Sequence, residues 1–136
     1  MNRDELRQIA RMRLGDARAL LRSGNYEGAY YLLGYVVECG LKACIARQTP
    51  RYDFPDRRTV SDSYTHNLMQ LVRVAGLQPS LEAESSNYAA FGVNWGIVES
   101  WSEESRYERH TLQEARGLYT AITGRHGVLR WIRHHW

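Results

Sequence analysis

Apolar residues recur every three to four positions along most of the chain, a spacing that places them on one face of a helix. The two strongest stretches cover residues 2–22 and 26–48. We predict that they form two long helices joined by a tight turn at residues 23–25. Residues 28–37 of the second stretch contain no charged side chain. A helix that is apolar nearly all round is buried, so this helix is predicted to lie at the centre of its domain.

Shorter helical patterns follow a polar segment. Residues 49–64 contain two prolines and many charged or hydroxyl side chains, which predicts a loop. The sequence Thr111-Leu-Gln-Glu114 is a capping box and predicts a helix from Leu112 to Thr123. The other predicted helices cover residues 65–75, a segment that starts at Ser80 and carries Phe91, Trp95, Val98 and Trp101, and part of residues 128–136. Glycines and asparagines weaken the segment after Ser80, so we expect it to kink or break.

Length and pattern together predict one all-α domain. The chain has 136 residues, 43% of them hydrophobic, which is enough for a single core and too short for two ordinary ones. No convincing run of alternating polar and apolar residues predicts a strand. We therefore expect an antiparallel up-and-down bundle of four to five helices over residues 1–136, with its core in residues 2–123 and a short C-terminal segment, 124–136.

The composition limits the expected cellular location of the protein and the kinds of site that it can form. The longest stretch without a charged residue, 85–98, does not suit a bilayer, and the first residues lack the apolar core of a secretory signal. We expect a cytoplasmic protein without a membrane segment. Cys39 and Cys44 are five residues apart on a predicted helix, so they point to different faces and do not easily form a disulfide. No second cysteine pair completes a zinc site, and we expect neither a metal nor a cofactor.

Basic residues are nearly all arginine, and charge is unevenly distributed. The formal net charge is +3, and 17 of the 18 basic residues are Arg, which binds phosphate better than Lys does. Residues 1–22 carry a net charge of +3, whereas residues 78–108 carry −5. This mild excess of positive charge attracts polyanions but does not by itself identify a partner.

Glu38 is the most informative single residue. A carboxylate in the middle of an otherwise apolar helix costs free energy unless it is paired, and Lys42 lies one turn further on. Two interpretations remain open. The acid forms an internal salt bridge that stabilises the bundle, with Arg106 as a second cation, or it lies behind Arg106 and directs the guanidinium towards phosphate.

Three segments carry a resemblance to a known family. They are the helix pair ALLRSGNYEGAYYLLGYVVECGLKACIA, the helix start Thr65-His66-Asn67-Leu68, and Trp101-Ser-Glu-Glu-Ser-Arg106-Tyr107. Together they resemble the HEPN family, small helical bundles named for higher eukaryotes and prokaryotes nucleotide-binding domains. The similarity covers roughly residues 10–122. It implies a bundle of four main helices that pairs as a homodimer.

The resemblance also implies a range of functions. Many HEPN proteins are metal-independent endoribonucleases of toxin–antitoxin, abortive-infection or CRISPR-linked systems. Others only bind nucleotides, or partner a small nucleotidyltransferase that acts as an antitoxin. The partners it suggests for this chain are therefore a second copy, RNA or a nucleotide, and a nucleotidyltransferase.

The resemblance assigns candidate site residues as well. Nuclease members carry an arginine, then four to six residues, then a histidine beside the dimer interface. At the equivalent place this chain has Arg106 and His110, with three residues between them, as the catalytic candidates. In such a site the histidine takes the proton of a ribose 2′-hydroxyl and the arginine holds the phosphate. Glu38, Lys42 and Tyr107 are the candidates for binding the substrate or supporting those two residues.

Other interpretations remain open. Residues four apart share a face of a continuous helix, but the predicted cap at Thr111 puts Arg106 and His110 in the preceding turn. Arg130 and His135 have the family spacing, although they lie at the C-terminus, where helices fray. The short spacing favours a non-catalytic interaction module over a nuclease, and nucleotide binding alone is a third possibility. We interpret His66 as a cap or a packing residue.

Overall fold

The computed structural model describes residues 1–49, 54 and 56–136, and over these residues the chain contains helices and their connecting segments but no strand. This confirms the all-α class. The elements, in chain order, are α1 (Arg3–Arg22), α2 (Tyr26–Arg47), α3 (Arg57–Ser63), α4 (Leu68–Val74), α5 (Gln78–Asn87), α6 (Ala89–Glu99), a 3₁₀ turn (Glu103–Tyr107), α7 (Leu112–Thr123) and α8 (Val128–Arg133).

α1 and α2 form a closely packed pair around a short turn. The side chain of Asn2 accepts the N–H of Glu5 and the Glu5 carboxylate accepts the N–H of Asn2, both at 2.9 Å, so α1 begins with a capping box. Gly24 follows the helix with a φ of 81°, a left-handed conformation that favours glycine. Asn25 does not cap α2 through its side chain, and its amide nitrogen donates to the Ser23 hydroxyl.

α2 is the central helix, as predicted. It contacts α1, α4, α7, α8 and the 3₁₀ turn. Within the described residues, α2 is also the one helix long and apolar enough to cross a membrane, but 67% of its most apolar stretch is buried in the protein. A helix buried at the centre of a bundle is apolar on nearly all sides, so the position of α2 alone explains its composition.

Two glycines of α2 let neighbouring segments pack directly on its backbone. A Cβ atom added at Gly34 would lie only 1.8 Å from the Trp101 indole, which therefore occupies the space a side chain would take. A Cβ atom at Gly40 would lie 3.0 Å from Ile132 of α8. These contacts hold the segment before the 3₁₀ turn and the C-terminal helix against α2.

Two predicted elements differ from the structure. Part of the polar segment 49–64 is helical, because Asp56 caps α3 by accepting the N–H of Thr59 at 3.0 Å. Residues 50–53 and 55 of that segment lie outside the described residues. The predicted helix after Ser80 starts earlier, at Gln78, whereas its expected break is confirmed at Tyr88, whose extended backbone separates α5 from α6.

The C-terminal segment belongs to the core. Four side chains of α8 are buried: Val128, Leu129, Trp131 and Ile132. The Trp131 indole donates to the Ser80 hydroxyl at 3.0 Å, and the Arg3 guanidinium donates to the Trp136 carbonyl at 2.7 Å. The core therefore extends past residue 123.

Both cysteines are buried free thiols. Burial raises the pKa of Cys39 to about 11 and that of Cys44 to about 12, so both are protonated near neutral pH. Across residues 1–49, 54 and 56–136, no three histidine, cysteine or acidic side chains lie close enough together to hold a metal ion.

We predict opposite effects for two glycine substitutions in helices. Gly34→Ala places a methyl group in the Trp101 indole and should lower the free energy of unfolding by about 1–3 kcal/mol, as overpacking does. Gly15→Ala is the matched control, because nothing lies within 4 Å of its added Cβ atom in α1. It should raise that free energy by about 0.5–1 kcal/mol. Urea unfolding measures both, and a Gly34→Ala variant as stable as the wild type would contradict this packing.

Candidate functional site

One side of α2 carries a row of polar side chains along an otherwise apolar helix. Tyr31, Tyr35, Glu38 and Lys42 are spaced by four, three and four residues, which places them on one face. We call this row the α2 stripe; from its first to its last residue it spans about 16 Å of helix. Two segments distant in sequence lie against it: the residues before α4 and the 3₁₀ turn.

The carboxylate of Glu38 is buried and uses both of its oxygens. One accepts from the Lys42 ammonium group at 3.3 Å, and the other is 2.6 Å from Nδ1 of His66. The Glu38 side chain is 5% exposed. A buried carboxylate requires this kind of pairing, because desolvation would otherwise favour its neutral form. The salt bridge to Lys42 was predicted, whereas the second partner is His66 and not the expected Arg106.

His66 is held in place by the start of α4. Asn67, not His66, caps this helix by accepting the N–H of Gln70 at 2.9 Å, and the Thr65 hydroxyl accepts the N–H of Asn67 at 3.1 Å. The imidazole contacts the ring of Tyr35 edge-on, with the centroids 5.8 Å apart. Its side chain is 45% exposed. The imidazole of His66 therefore contacts a buried acid and also reaches the protein surface. The interpretation of His66 as a helix cap is wrong.

A cavity of about 530 Å³ opens beside His66. Its wall includes Asn67, Trp101 and Ser102, together with charged side chains of both signs: Arg73, Glu99 and Glu103. Because charges of both signs line this cavity, it is not a simple anion site.

Arg106 lies at the other end of the α2 stripe. It is exposed, in the 3₁₀ turn, with its guanidinium carbon 4.8 Å from the centre of the Tyr107 ring. The hydroxyl of Tyr31, followed by that of Tyr107, interacts with the guanidinium and raises the pKa of Arg106. Arg106 therefore stays charged at any pH the protein meets.

The tyrosines of the α2 stripe connect its two ends. The Tyr31 hydroxyl donates to that of Tyr35 at 3.2 Å. Burial is the main reason why the pKa of Tyr35 is raised; the hydrogen bond with Tyr31 and the charge of Glu38 raise it further, whereas Arg106 lowers it. Tyr35 thus lies within electrostatic range of both the buried acid and the exposed arginine. Among the described residues no ion pair joins Arg106 to Glu38, whose charged partners are Lys42 and His66.

His110 lies on a different side of α2. Its ring stacks on Tyr30 with the centroids 3.8 Å apart, and its Nδ1 is 2.9 Å from the Glu114 carboxylate. The hydrogen bond to His110 is the main cause that lowers the pKa of Glu114. Only 5% of the His110 side chain is exposed.

Arg106 and His110 do not share a helix face, as a continuous helix would have required. The 3₁₀ turn ends at Tyr107, and Glu108 has an extended backbone. Arg106 interacts with Tyr31, whereas His110 stacks on Tyr30. Successive residues leave a helix about 100° apart, so the two candidates lie on different sides of α2. No hydrogen bond or ion pair joins them among the residues that the structure describes.

The C-terminal candidates are structural neighbours of the core. His135 packs edge-on against Trp131, and its Nε2 is 3.3 Å from the Ser80 hydroxyl. Burial, followed by the positive charge of nearby basic groups, lowers the pKa of His135. Arg130 donates to the carbonyl of Arg125 at 3.2 Å. The contacts of His135 and Arg130 are those of an ordered helix end.

We predict strong energetic coupling between Glu38 and Lys42. Lys42→Ala leaves the buried carboxylate with one partner and should lower the free energy of unfolding, but the same change should cost little once Glu38 is replaced by Gln. A double-mutant cycle by urea unfolding should give a coupling of about 1–2 kcal/mol. The exposed pair Arg58 and Asp62, also four residues apart, is the control and should give less than about 0.5 kcal/mol. Equal couplings would contradict the burial of the Glu38 pair.

The resemblance to the HEPN family rests on three sequence segments, and residues of all three meet at the α2 stripe. The first segment contributes the stripe itself, the second contributes His66, and the third contributes Trp101 and Arg106. No family model, curated protein or solved structure matches the chain.

Proposed function

We propose that this chain is a HEPN-like protein that binds single-stranded RNA or nucleotides and, as a homodimer, cleaves RNA without a metal ion. The observation that carries the proposal is the exposed guanidinium of Arg106 at one end of the α2 stripe, near the Tyr31 hydroxyl and over the Tyr107 ring. Arginine binds phosphate through two parallel hydrogen bonds, and exposed aromatic rings stack with bases. The Tyr107 side chain, 79% exposed, is available for such stacking.

The charges around the α2 stripe favour a single strand over a duplex. Glu38 is neutralised by its partners, but Glu99 and Glu103 line the cavity beside His66. A duplex presents a dense row of phosphates that these carboxylates repel. A single strand can place its phosphate at Arg106 and turn ribose hydroxyls or base amino groups, which are hydrogen-bond donors, towards the carboxylates.

Cleavage of such a strand needs little chemical machinery. The 2′-hydroxyl of one ribose attacks the adjacent phosphorus, which yields a 2′,3′-cyclic phosphate and a free 5′-hydroxyl. The reaction requires a proton acceptor for the 2′-hydroxyl and a cation for the charge that develops on the phosphate. Histidine and arginine side chains supply both functions. A toxin of a toxin–antitoxin or phage-defence system would use this reaction.

We predict that Arg106 is required for RNA binding and cleavage. In EDTA, the wild type should convert single-stranded RNA to fragments with 2′,3′-cyclic phosphate ends. Arg106→Ala should weaken RNA binding about 10-fold or more, because a charge-assisted phosphate contact is lost. Arg109→Ala is the matched control: it removes the same charge three residues away, from an exposed pair with Glu27, and should leave binding unchanged. Fluorescence anisotropy and analysis of the RNA ends measure the two effects.

Two results would contradict this proposal. Equal losses in Arg106→Ala and Arg109→Ala would mean that net charge, not the site, governs binding. If the wild type never produces a cyclic phosphate end, the proposed nuclease activity is wrong.

A non-catalytic interaction module is the second candidate, and the position of His110 favours it. The histidine that the HEPN pattern assigns to catalysis is buried between Tyr30 and Glu114 and is separated from Arg106. In that case the chain would bind a nucleotide or dock a nucleotidyltransferase without chemistry of its own. RNA binding without cleavage, or ATP binding in calorimetry, would favour this candidate.

The surface of α6 supports the homodimer. Its inner face buries Phe91, Trp95 and Val98, while Val93 and Ile97 on the opposite face are 64% and 40% exposed. A helix that is apolar on both faces is usually covered on both. A second copy is the partner that the HEPN resemblance implies, and we propose that it covers this face.

We predict that a charge on the outer face of α6 dissociates the dimer. Val93→Arg should convert a dimeric wild type to a folded monomer, because Val93 is exposed within one protomer. Met12→Arg changes an exposed apolar residue on a different helix, α1. It is the control and should stay dimeric. Sedimentation velocity separates the two species, and a dimeric Val93→Arg variant would exclude α6 from the interface.

A further inference from the structure

The arrangement of Glu38 and His66 resembles the acid–imidazole pairs that move protons in enzymes. The carboxylate oxygen of Glu38 lies 2.6 Å from Nδ1 of His66. An ionised carboxylate only accepts hydrogen bonds, so a hydrogen bond between these two groups places the proton on Nδ1. In the neutral imidazole the lone pair is then on Nε2, and no contact of Nε2 is found within the described part of the chain. A fixed tautomer of this kind is what a general base requires.

The exposure of the two side chains suits the same role. The Glu38 side chain is 5% exposed, whereas that of His66 is 45% exposed and lines the cavity of about 530 Å³. The acid is therefore shielded from water while the imidazole is open to a ligand. His110 has the opposite environment: its side chain is 5% exposed and both ring nitrogens face carboxylates, those of Glu108 and Glu114.

His66 and Arg106 lie along the same side of α2. Arg106 interacts with Tyr31, and His66 with Glu38, seven residues further along the helix. This separation corresponds to about 10 Å of helix. A nucleotide that lies along the α2 stripe would present its 2′-hydroxyl to the imidazole and the adjacent phosphate to the guanidinium.

We infer that His66, held by Glu38, is the residue that takes the proton of the ribose 2′-hydroxyl in RNA cleavage. The inference rests on the proposed function and replaces His110 in that role. Nε2 of His66 receives the proton as the 2′-oxygen forms its bond to phosphorus. The bond between phosphorus and the 5′-oxygen breaks, the 5′-oxygen takes a proton from water, and His66 returns its proton to solvent. Glu38 is a positioning residue that fixes the tautomer and stabilises the imidazolium.

The kinetic experiment compares histidine variants on single-stranded RNA in EDTA. His66→Gln should lower kcat about 100-fold or more, the usual contribution of a general base, with KM changed less than about 3-fold. Glu38→Gln should also lower kcat while leaving KM unchanged. His126→Ala, which removes a ring stacked on Tyr88, is the control and should keep wild-type activity. Circular dichroism and melting temperatures verify that each variant folds.

The second measurement does not depend on activity. A ¹⁵N–¹H correlation spectrum of the imidazole rings, recorded where His66 is neutral, should show its proton on Nδ1 in the wild type, and the signals should move in Glu38→Gln. A proton on Nε2 would overturn the inference, because that nitrogen could not act as a base.

The outcomes separate this inference from the proposed function. If the wild type cleaves RNA and His66→Gln cleaves it equally well, or if only His110→Gln loses activity, the assignment of His66 is wrong while the nuclease activity stands. If the wild type cleaves no RNA, both are wrong.

Discussion

The buried carboxylate of Glu38 is the constraint on which the rest of the site depends. An acid at the centre of an apolar helix is tolerated only with both oxygens satisfied, and here its partners come from two places. Lys42 is local, one turn along α2. His66 is not local, and the chain must bring the start of α4 against α2 to supply it. The pairing that satisfies the acid therefore also holds the segment before α4 against α2 and places an imidazole at the surface.

A second constraint, of shape instead of charge, places Arg106. Gly34 leaves a gap on α2 that the Trp101 indole fills, and Trp101 also packs edge-on against Tyr35. The 3₁₀ turn follows Trp101 after one residue, so its arginine lies beside the Tyr31 hydroxyl. One small residue in the central helix thus brings a distant cation to the α2 stripe. Close packing of an aromatic ring on helix backbone gives this contact little freedom to shift.

Local features of the fold were predictable, and contacts between distant segments were not. The capping box at Thr111 and the tight turn at residues 23–25 depend on neighbouring residues, so the sequence predicted them correctly. The salt bridge of Glu38 with Lys42 is local as well. The second partner of Glu38 is 28 residues away, and nothing in the pattern around His66 distinguishes a ligand of a buried acid from a packing residue. The spacing argument for Arg106 and His110 assumed a helix where the backbone is extended.

Structure and chemistry are not separable at Glu38. The oxygen that stabilises the imidazole of His66 belongs to the same buried carboxylate that Lys42 neutralises, so deletion of the acid disturbs packing, charge and tautomer together. Replacement by glutamine keeps the volume and an acceptor oxygen but removes the charge that holds a protonated imidazole. If the pair is purely structural, this variant should only be less stable. Its turnover should then fall in proportion to the fraction of molecules that remain folded. A positioning pair would lose turnover in molecules that remain folded. The conservative substitution therefore distinguishes the two roles, which removal of the whole side chain would leave mixed.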